Sequence, residues 1–406
     1  MPKKETWQIT LKRELTESYV QNPEEWVELN ISTAGLLNLR IVSNKFKKLS
    51  VPQRKEQLEN ILGQYKISPG FLSFYTVEEA RSLNLSPPQQ ANENSITTWQ
   101  DLAFWAANPQ NHLLVEKPEP TLPRTVTFYS FKGGVGRTTA LIHVAWILAM
   151  RGRKVVAVDL DLEAPGLSTA FTLNPQPEYG IVDYFYERSY GPEGVEPNIL
   201  ITKIFGEVTI PNAPGRLFVV PAGFLSLDYI SQVDDLRATT IVDRGEGLWS
   251  VFRREIKEHL KPDIILVDSR TGFNEWGALS LLQAADEAII FLFPNEQHLQ
   301  GTKLLLSSLN SLGKLSTKLV LSPVPDVSDM GMVKVKKIGQ DLLQVSDRET
   351  EENAEPLVIP YLLPIALADN YPVVEMLDYY NKIADSLDEN ANKIRLGEFL
   401  TGASQF

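Results

Sequence analysis

The sequence predicts an α/β protein: a mainly parallel, doubly wound sheet preceded by a small α+β N-terminal domain. Three observations carry this expectation. From Thr125 onward, short runs rich in Val, Ile, Leu and Phe alternate with longer helical patterns, the order of a parallel sheet with helices on both faces. A glycine-rich turn, Lys132-Gly133-Gly134-Val135-Gly136-Arg137-Thr138-Thr139, separates the first of these runs from an apolar helical stretch. Asp159, Asp161 and Asp268 stand at the ends of two further runs, and open sheets of this class bind ligands beyond the carboxyl ends of their strands.

Taken in order, residues 1–85 read as the small α+β domain. Residues 26–31 and 37–42 alternate or cluster as strands, with Gly35 in the turn between them. Pro52 opens a helix in which Leu58, Ile61 and Leu62 form one stripe. Residues 71–75 are a third strand, and Thr76-Val77-Glu78-Glu79 is a capping box that starts a short helix. No catalytic residue stands out here, so the expectation is an interaction or sensor domain. Residues 86–124 are a linker: 87–94 are polar and structureless, and 116–123 are proline-rich and extended. Within the linker, residues 98–107 form a short helix whose Trp99, Phe104 and Trp105 dock on a neighbour. Residues 125–406 are the sheet domain, with strands at 125–130, 154–159, 216–223, 263–268, 287–293, 318–321 and 356–360.

Bulk properties narrow the function classes. A chain of 406 residues suggests two domains, and 43% hydrophobic against 22% charged residues is the balance of a globular protein with a large core. No apolar run approaches the ~18 residues a membrane span needs, and Met1 to Glu5 lead into no signal-like apolar segment. There are no cysteines, which excludes disulfides, thiolate metal sites and cysteine-held iron–sulfur clusters and fits a cytoplasmic location. Four scattered histidines make a histidine-built zinc site unpromising. The first 120 residues hold 13 Lys and Arg against 14 Asp and Glu, so nearly all of the net charge of −12 lies on the sheet domain. An acidic domain has no general attraction for nucleic acid or anionic lipid.

A strand, a glycine loop and a helix start together make a phosphate cradle. Glycines allow backbone N–H groups to approach an anion, and the first turn of the helix adds unpaired donors and the positive end of its dipole. The usual pattern is G-x-x-x-x-G-K-[ST]. Here Arg137 stands where the final lysine is expected, and Lys132 occupies the place of the first glycine.

Three segments in fixed order, 132–139, 159–168 (Asp-Leu-Asp-Leu-Glu-Ala-Pro-Gly-Leu-Ser) and 267–272 (Val-Asp-Ser-Arg-Thr-Gly), resemble the deviant-Walker ATPases of the ParA/MinD type. The likeness runs from Thr125 nearly to the end. It implies ATP and Mg²⁺ as cofactors, with Gly133, Gly134, Val135, Gly136, Arg137, Thr138 and Thr139 around the phosphates. Thr138, Asp159 and Asp268 would serve the metal, and Asp161 would position the attacking water. Arg137 would take the lysine's place on the β/γ oxygens, keeping the charge but as a planar fork. Gly272 would offer its N–H to the γ-phosphate, making 269–272 a nucleotide-sensing switch. Lys132 matches the family's signature lysine, which reaches a partner's nucleotide across a dimer interface. The resemblance therefore implies an ATP-dependent homodimer with slow turnover that controls a protein partner in positioning, partition, signalling or defence. The alternative is a nucleotide-binding regulatory module with little or no hydrolysis.

Other branches fit less well. Without cysteine the nitrogenase-like and iron–sulfur-carrier proteins are excluded. Tyr379 and Tyr380 are the lone adjacent tyrosine pair near the C-terminus, unlike the cluster of the related tyrosine kinases. Residues 392–400 are too short and too mixed in charge for a membrane-targeting helix, so membrane binding is not expected. Lys334, Lys336 and Lys337 are the start of a DNA-binding patch, but a basic run of this size is usually a solvated face, and DNA is not the favoured partner. In the N-terminal domain, the order strand, Ser43-Asn44-Lys45-Phe46, helix, strand, Thr-x-Glu-Glu resembles BolA-like domains over about forty residues. The histidine that family carries near Gly70-Phe71 is absent, so no metal role is expected here.

Overall fold

The computed structural model describes residues 7–31, 37–65, 69–83, 85, 96–107, 122–191, 197–240, 242, 246–311, 315–325, 327–345, 356–368 and 370–388. It divides into two compact units, residues 1–93 and 94–406.

The first unit contains α1 (Trp7–Tyr19), β1 (Trp26–Ile31), β2 (Leu37–Val42), α2 (Val51–Gln64), β3 (Pro69–Tyr75) and α3 (Val77–Ser82). Its sheet has the order β1-β2-β3, with β1 and β2 antiparallel and β2 and β3 parallel. The helix α1 is an addition to the sequence expectation. Leu11 and Leu15 on α1, Leu39 and Ile41 on β2, and Phe46 and Leu58 pack together as the core. The capping box forms as the sequence predicts: Glu79 N–H donates to Thr76 Oγ1 (3.2 Å), and Thr76 N–H donates to Glu79 Oε2 (2.8 Å). Glu79 does a second job. Buried Arg54 on α2 donates through Nη2 to Glu79 Oε1 (2.8 Å), through Nη1 to the Phe74 carbonyl (2.9 Å) and through Nε to that of Leu49 (3.0 Å). One guanidinium thus ties α2, β3 and α3, and it holds the Glu79 carboxyl down at about 2.

The second unit opens with α4 (Trp99–Ala107) and β4 (Arg124–Ser130), followed by α5 (Arg137–Met150), β5 (Lys154–Leu160), α6 (Leu167–Ala170), β6 (Leu173–Asn174) and α7 (Ile181–Tyr190). Next come β7 (Gly206–Val208), β8 (Arg216–Val220), α8 (Leu227–Asp235), α9 (Leu248–Leu260), β9 (Ile264–Ser269) and α10 (Glu275–Ala278), which runs on as a π-helical turn over Leu279–Ala284. The chain continues with β10 (Glu287–Leu292), α11 (Glu296–Ser311), β11 (Ser316–Val324), α12 (Asp329–Val345), β12 (Leu357–Pro360), α13 (Leu363–Ala366), a 3₁₀ segment (Val374–Tyr380) and α14 (Asn381–Leu387). The nine strands are ordered β12-β11-β10-β4-β9-β5-β8-β7-β6. All pairs from β12 to β8 are parallel, and β7 and β6 add an antiparallel edge. The seven longer strands are those the sequence predicts. The two edge strands, two and three residues long, are too short to leave an alternating pattern.

Period-two alternation splits the core between the faces of the sheet. Val155 and Ala157 of β5 and Ile264 and Leu266 of β9 face α5 and α14, whereas Val156, Val158, Ile265 and Val267 face the layer of α7, α8 and α9. Near β4 and β10 that second face is covered by α4, α11 and α12. Helix α5 is buried around nearly its whole circumference, as an evenly apolar sequence requires.

The linker expectation is corrected in part. Helix α4 exists, but it belongs to the second unit, where Ile96 and Leu102 join the core beside Tyr129, Leu281 and Leu282. It starts on its own cap, with Thr97 and Thr98 N–H donating to Asp101 Oδ2 (3.1 and 2.9 Å) and Asp101 N–H to Thr98 Oγ1 (3.1 Å). The side chains of Phe104 and Trp105, the stretch 87–94, most of 116–123 and the C-terminal residues 392–400 lie outside the described residues.

Candidate nucleotide site

Strand β4 ends at Ser130 and α5 begins at Arg137, so the six residues between them must turn the chain through the site. Gly134 and Gly136 do so with φ of +77° and +72°, the left-handed region where a side chain is strained. A Cβ built at Gly133 or Gly134 would meet nothing within 4 Å, so these residues face open space rather than packed protein. Gly136 is the N-cap of α5 and has no side chain to satisfy the first-turn N–H groups. The helix therefore starts with backbone donors facing an uncrowded loop, which is what an anion requires. Val135 is buried and anchors the loop from below.

Behind the loop lies a closed network of ions. Arg137 is 6% exposed; its Nε donates to Asp268 Oδ1 (2.7 Å) and its Nη2 to Asp161 Oδ2 (2.7 Å). Thr138 Oγ1 donates to the other Asp268 oxygen at 2.6 Å. Asp161 Oδ1 accepts from Arg270 Nη1 (3.1 Å), and Arg270 Nη2 donates to Glu163 Oε2 (2.6 Å). Asp159 is fully buried and accepts backbone N–H groups from Asp161 (3.2 Å), Gly166 (2.9 Å) and Leu167 (3.0 Å). It thereby shapes the loop that carries Asp161.

Burial drives the electrostatics. It pushes the Asp159 carboxyl up to about 7, with the neighbouring Asp268 charge adding to the effect. Asp268 is raised by burial, against the opposing pull of Arg137 and the Thr138 hydroxyl. Arg137 is raised on balance: burial works against its charge, and Asp268 and Asp161 outweigh it. Three buried carboxylates, Asp159, Asp161 and Asp268, together with Glu163 face two cations, Arg137 and Arg270, which leaves the site short of positive charge. A divalent cation would restore the balance.

Residues 271–274 are held by backbone hydrogen bonds and by a chain of edge-on and tilted aromatic contacts. Gly272 has φ +78°, and its N–H donates to the Ser130 carbonyl (3.3 Å) while its own carbonyl accepts from Tyr129 OH (3.0 Å). Trp99 on α4 donates from Nε1 to the Asn274 carbonyl (2.7 Å) and meets Phe273 edge-on at 4.9 Å. Phe273 in turn lies 5.3 Å from Phe131, the residue before Lys132. Phe131 packs over Gly301 on α11, where a Cβ would come within 2.2 Å of the ring. The start of α4, the switch and the glycine loop thus form one chain of contacts.

His143, one turn along α5, is a further link. Its Nδ1 lies 2.7 Å from the Thr139 carbonyl, and its Nε2 accepts from Val373 N–H (3.1 Å). Two such partners fix the neutral tautomer with the proton on Nδ1. The ring stacks on Tyr380 at 4.4 Å, and burial lowers its pKa to about 4.

The structure brings together Gly133 to Thr139, Asp159, Asp161, Asp268 and Gly272 at the carboxyl ends of β4, β5 and β9. Lys132 is exposed and makes no ion pair among the described residues. Its charge reaches buried His298, whose pKa is lowered first by burial and then by Lys132. Two expected contacts take another form here. Arg137 donates to Asp268 and Asp161, and the Gly272 N–H donates to the Ser130 carbonyl. Trp99, His143 and the Arg270–Glu163 pair complete the site. Their sequence signals are a tryptophan in a linker, a histidine inside an apolar helix, and an acid and an arginine that stand within the second and third motifs. Lys334, Lys336 and Lys337 lie exposed on α12, flanking buried Val335 and Ile338, as a solvated helix face does.

These residues fit a magnesium nucleotide. Arg137 Nη1 is buried without a hydrogen-bond partner, a cationic donor held ready for an anionic oxygen. The donor set of one hydroxyl and carboxylates suits a hard cation, and magnesium typically binds through one or two carboxylates with phosphate and water completing its shell. Among the described residues, no three acids or histidines cluster so as to hold a metal by themselves.

Comparison with known proteins bears on the same segment. The AAA domain family profile matches residues 123–321. MinD, the septum site-determining protein of Buchnera aphidicola (subsp. Schizaphis graminum), is 25% identical over 282 residues, covering 68% of this chain and 92% of that protein. A putative replication protein A of Rhizobium rhizogenes is 27% identical over 174 residues, but the match spans just 42% of this chain and 40% of that one. Among solved structures, MinD of Pyrococcus horikoshii complexed with Mg-ADP aligns with a TM-score of 0.48 and 20% identity, over 67% of this chain and all of the other. Three motifs in order, on the strands that their chemistry needs, agree with the profile and sequence matches: residues 123–321 resemble the P-loop ATPase domains of the ParA/MinD type.

Proposed function

We propose that this chain is a molecular switch that binds and hydrolyses ATP, dimerises around Mg-ATP and passes its nucleotide state to a protein partner through its N-terminal unit. The observation that carries the reading is the convergence of Arg137, Thr138, Asp161 and Asp268 behind a glycine loop that presents an exposed Lys132.

Bound Mg-ATP supplies an activated phosphoanhydride and a cation that neutralises its charge. The protein's own groups do the rest. Backbone amides from Gly134 to Thr138 hold the phosphates, and the Arg137 guanidinium turns from the acids toward the β/γ oxygens. The Thr138 hydroxyl, Asp159 and Asp268 would hold the metal, and Asp159 also fixes the loop of residues 161–167. Asp161 orients the attacking water. Gly272, released from Ser130, offers its N–H to the γ-phosphate. Lys132 provides charge to the nucleotide of a second copy, much as an arginine finger does. The same end of the sheet exposes Phe224, Leu225, Leu227 and Ile230, apolar surface that a second copy would cover.

A switch that moves Asn274 and Phe273 must disturb Trp99 at the start of α4.

A second reading, nucleotide binding with little hydrolysis, draws on one specific feature. Arg137 is bonded to both Asp268 and Asp161, and freeing it costs more than freeing a lysine, whose single ammonium cannot bridge two carboxylates in the same way. Phosphate release by the purified protein separates the two readings, with Lys132→Ala and Asp161→Ala alongside. The switch reading expects measurable release by the wild type and a loss of at least tenfold in both variants. Equal inertness of all three with ATP still bound supports the second reading.

A further inference from the structure

We propose that Arg270 is a positioning residue for Asp161, holding its carboxylate in register when Arg137 leaves it for the nucleotide; the inference rests on the reading that Asp161 orients the attacking water.

Both Asp161 oxygens are occupied: Oδ2 by Arg137 at 2.7 Å and Oδ1 by Arg270 at 3.1 Å. The two arginines differ in what else they serve. Arg137 opens α5 and carries a buried Nη1 without a partner, so it belongs to the phosphate side of the site. Arg270 lies two residues beyond Asp268, and its other nitrogen is fixed by Glu163 at 2.6 Å. With Thr138 and Asp268 holding a metal and Arg137 the phosphates, the Arg137–Asp268 and Arg137–Asp161 pairs would be given up, and Asp161 Oδ2 would be left to accept a hydrogen bond from water.

A carboxylate freed on both sides would rotate about its side-chain torsions. Asp161 is not freed on both sides. Its backbone N–H is held by Asp159 Oδ1 at 3.2 Å, and its Oδ1 stays on Arg270. Orientation to within a fraction of an ångström is what a water-positioning group needs, and a fork already anchored at one end supplies it. Arg270 also lies in the switch segment, between Asp268 and Gly272. A shift of that segment therefore moves the residue that aims Asp161, and hydrolysis becomes conditional on the switch having closed.

The test measures phosphate release together with affinity for a non-hydrolysable ATP analogue in Arg270→Gln, Arg270→Lys and Glu163→Gln proteins. Arg270→Gln is expected to lower kcat at least tenfold, with KM and analogue Kd within threefold of wild type. Arg270→Lys recovers part of the rate, and Glu163→Gln falls between them. Adding Arg270→Gln to Asp161→Ala slows the reaction no further, because the arginine acts only through that carboxylate. If Arg270→Gln does not fold, Arg270→Lys carries the test, with a kcat at least threefold below wild type and unchanged binding. A wild-type kcat in the Arg270 variants, or kcat and analogue affinity falling together, overturns the proposal while the ATPase reading stands. Absence of release by the wild type itself overturns the ATPase reading and this inference with it.

Discussion

Arg137 spends its charge on two acids at once, and its consequences for stability follow from burial. Truncating one member of a buried, hydrogen-bonded ion network leaves the others uncompensated, at a cost of about 3–5 kcal/mol. Arg137→Ala is therefore expected to unfold at a clearly lower denaturant midpoint and to lose nucleotide binding; an unchanged midpoint would contradict the network. His143 makes a separate prediction in pH. Its folded pKa, about 4, lies below the unfolded value near 6.5, so the unfolded chain binds the proton more readily. Its stabilising contribution is whole above about pH 6.5 and is lost as the pH falls toward 4, on the order of 2–3 kcal/mol across the window. Denaturant titrations between pH 4 and 7 should show this slope, and His143→Gln should flatten it. The motif residues were legible in the sequence because each motif is contiguous. Their partners were not, since Arg137 and Asp268 stand 131 positions apart and only the folded sheet brings them together.

At the scale of elements, the long buried strands and the apolar helix after the loop were legible from period and length alone. The antiparallel edge and α1 were not: β6 and β7 are too short for a pattern, and the apolar positions of α1, among them Leu11 and Leu15, are spaced among charges. Helix α4 is the instructive case. Its sequence reads correctly as a short helix with a docking tryptophan, but a local pattern carries no information on which body it docks to. Packing decides this: Trp99 reaches Asn274, and Thr97 accepts from Gln283 Nε2 at 3.1 Å. Removing the half-buried indole in Trp99→Ala costs about 2 kcal/mol, from lost packing and one hydrogen bond. A denaturant midpoint equal to that of the wild type would contradict this docking.

For the whole molecule, the sheet order follows from chain economy and places every predicted phosphate and metal residue at one end, the arrangement expected of an open parallel sheet. What this end lacks within one chain is a use for Lys132, exposed and unpaired among the described residues beside a site already supplied with Arg137. In the proposed dimer, a second copy would give it one. The most direct measurement of the account is phosphate release by the wild-type protein as its concentration is raised, beside Lys132→Ala. If the switch is a nucleotide sandwich, release per chain rises with concentration and the variant stays at least tenfold lower throughout. Release that is independent of concentration and equal in the two proteins would contradict it.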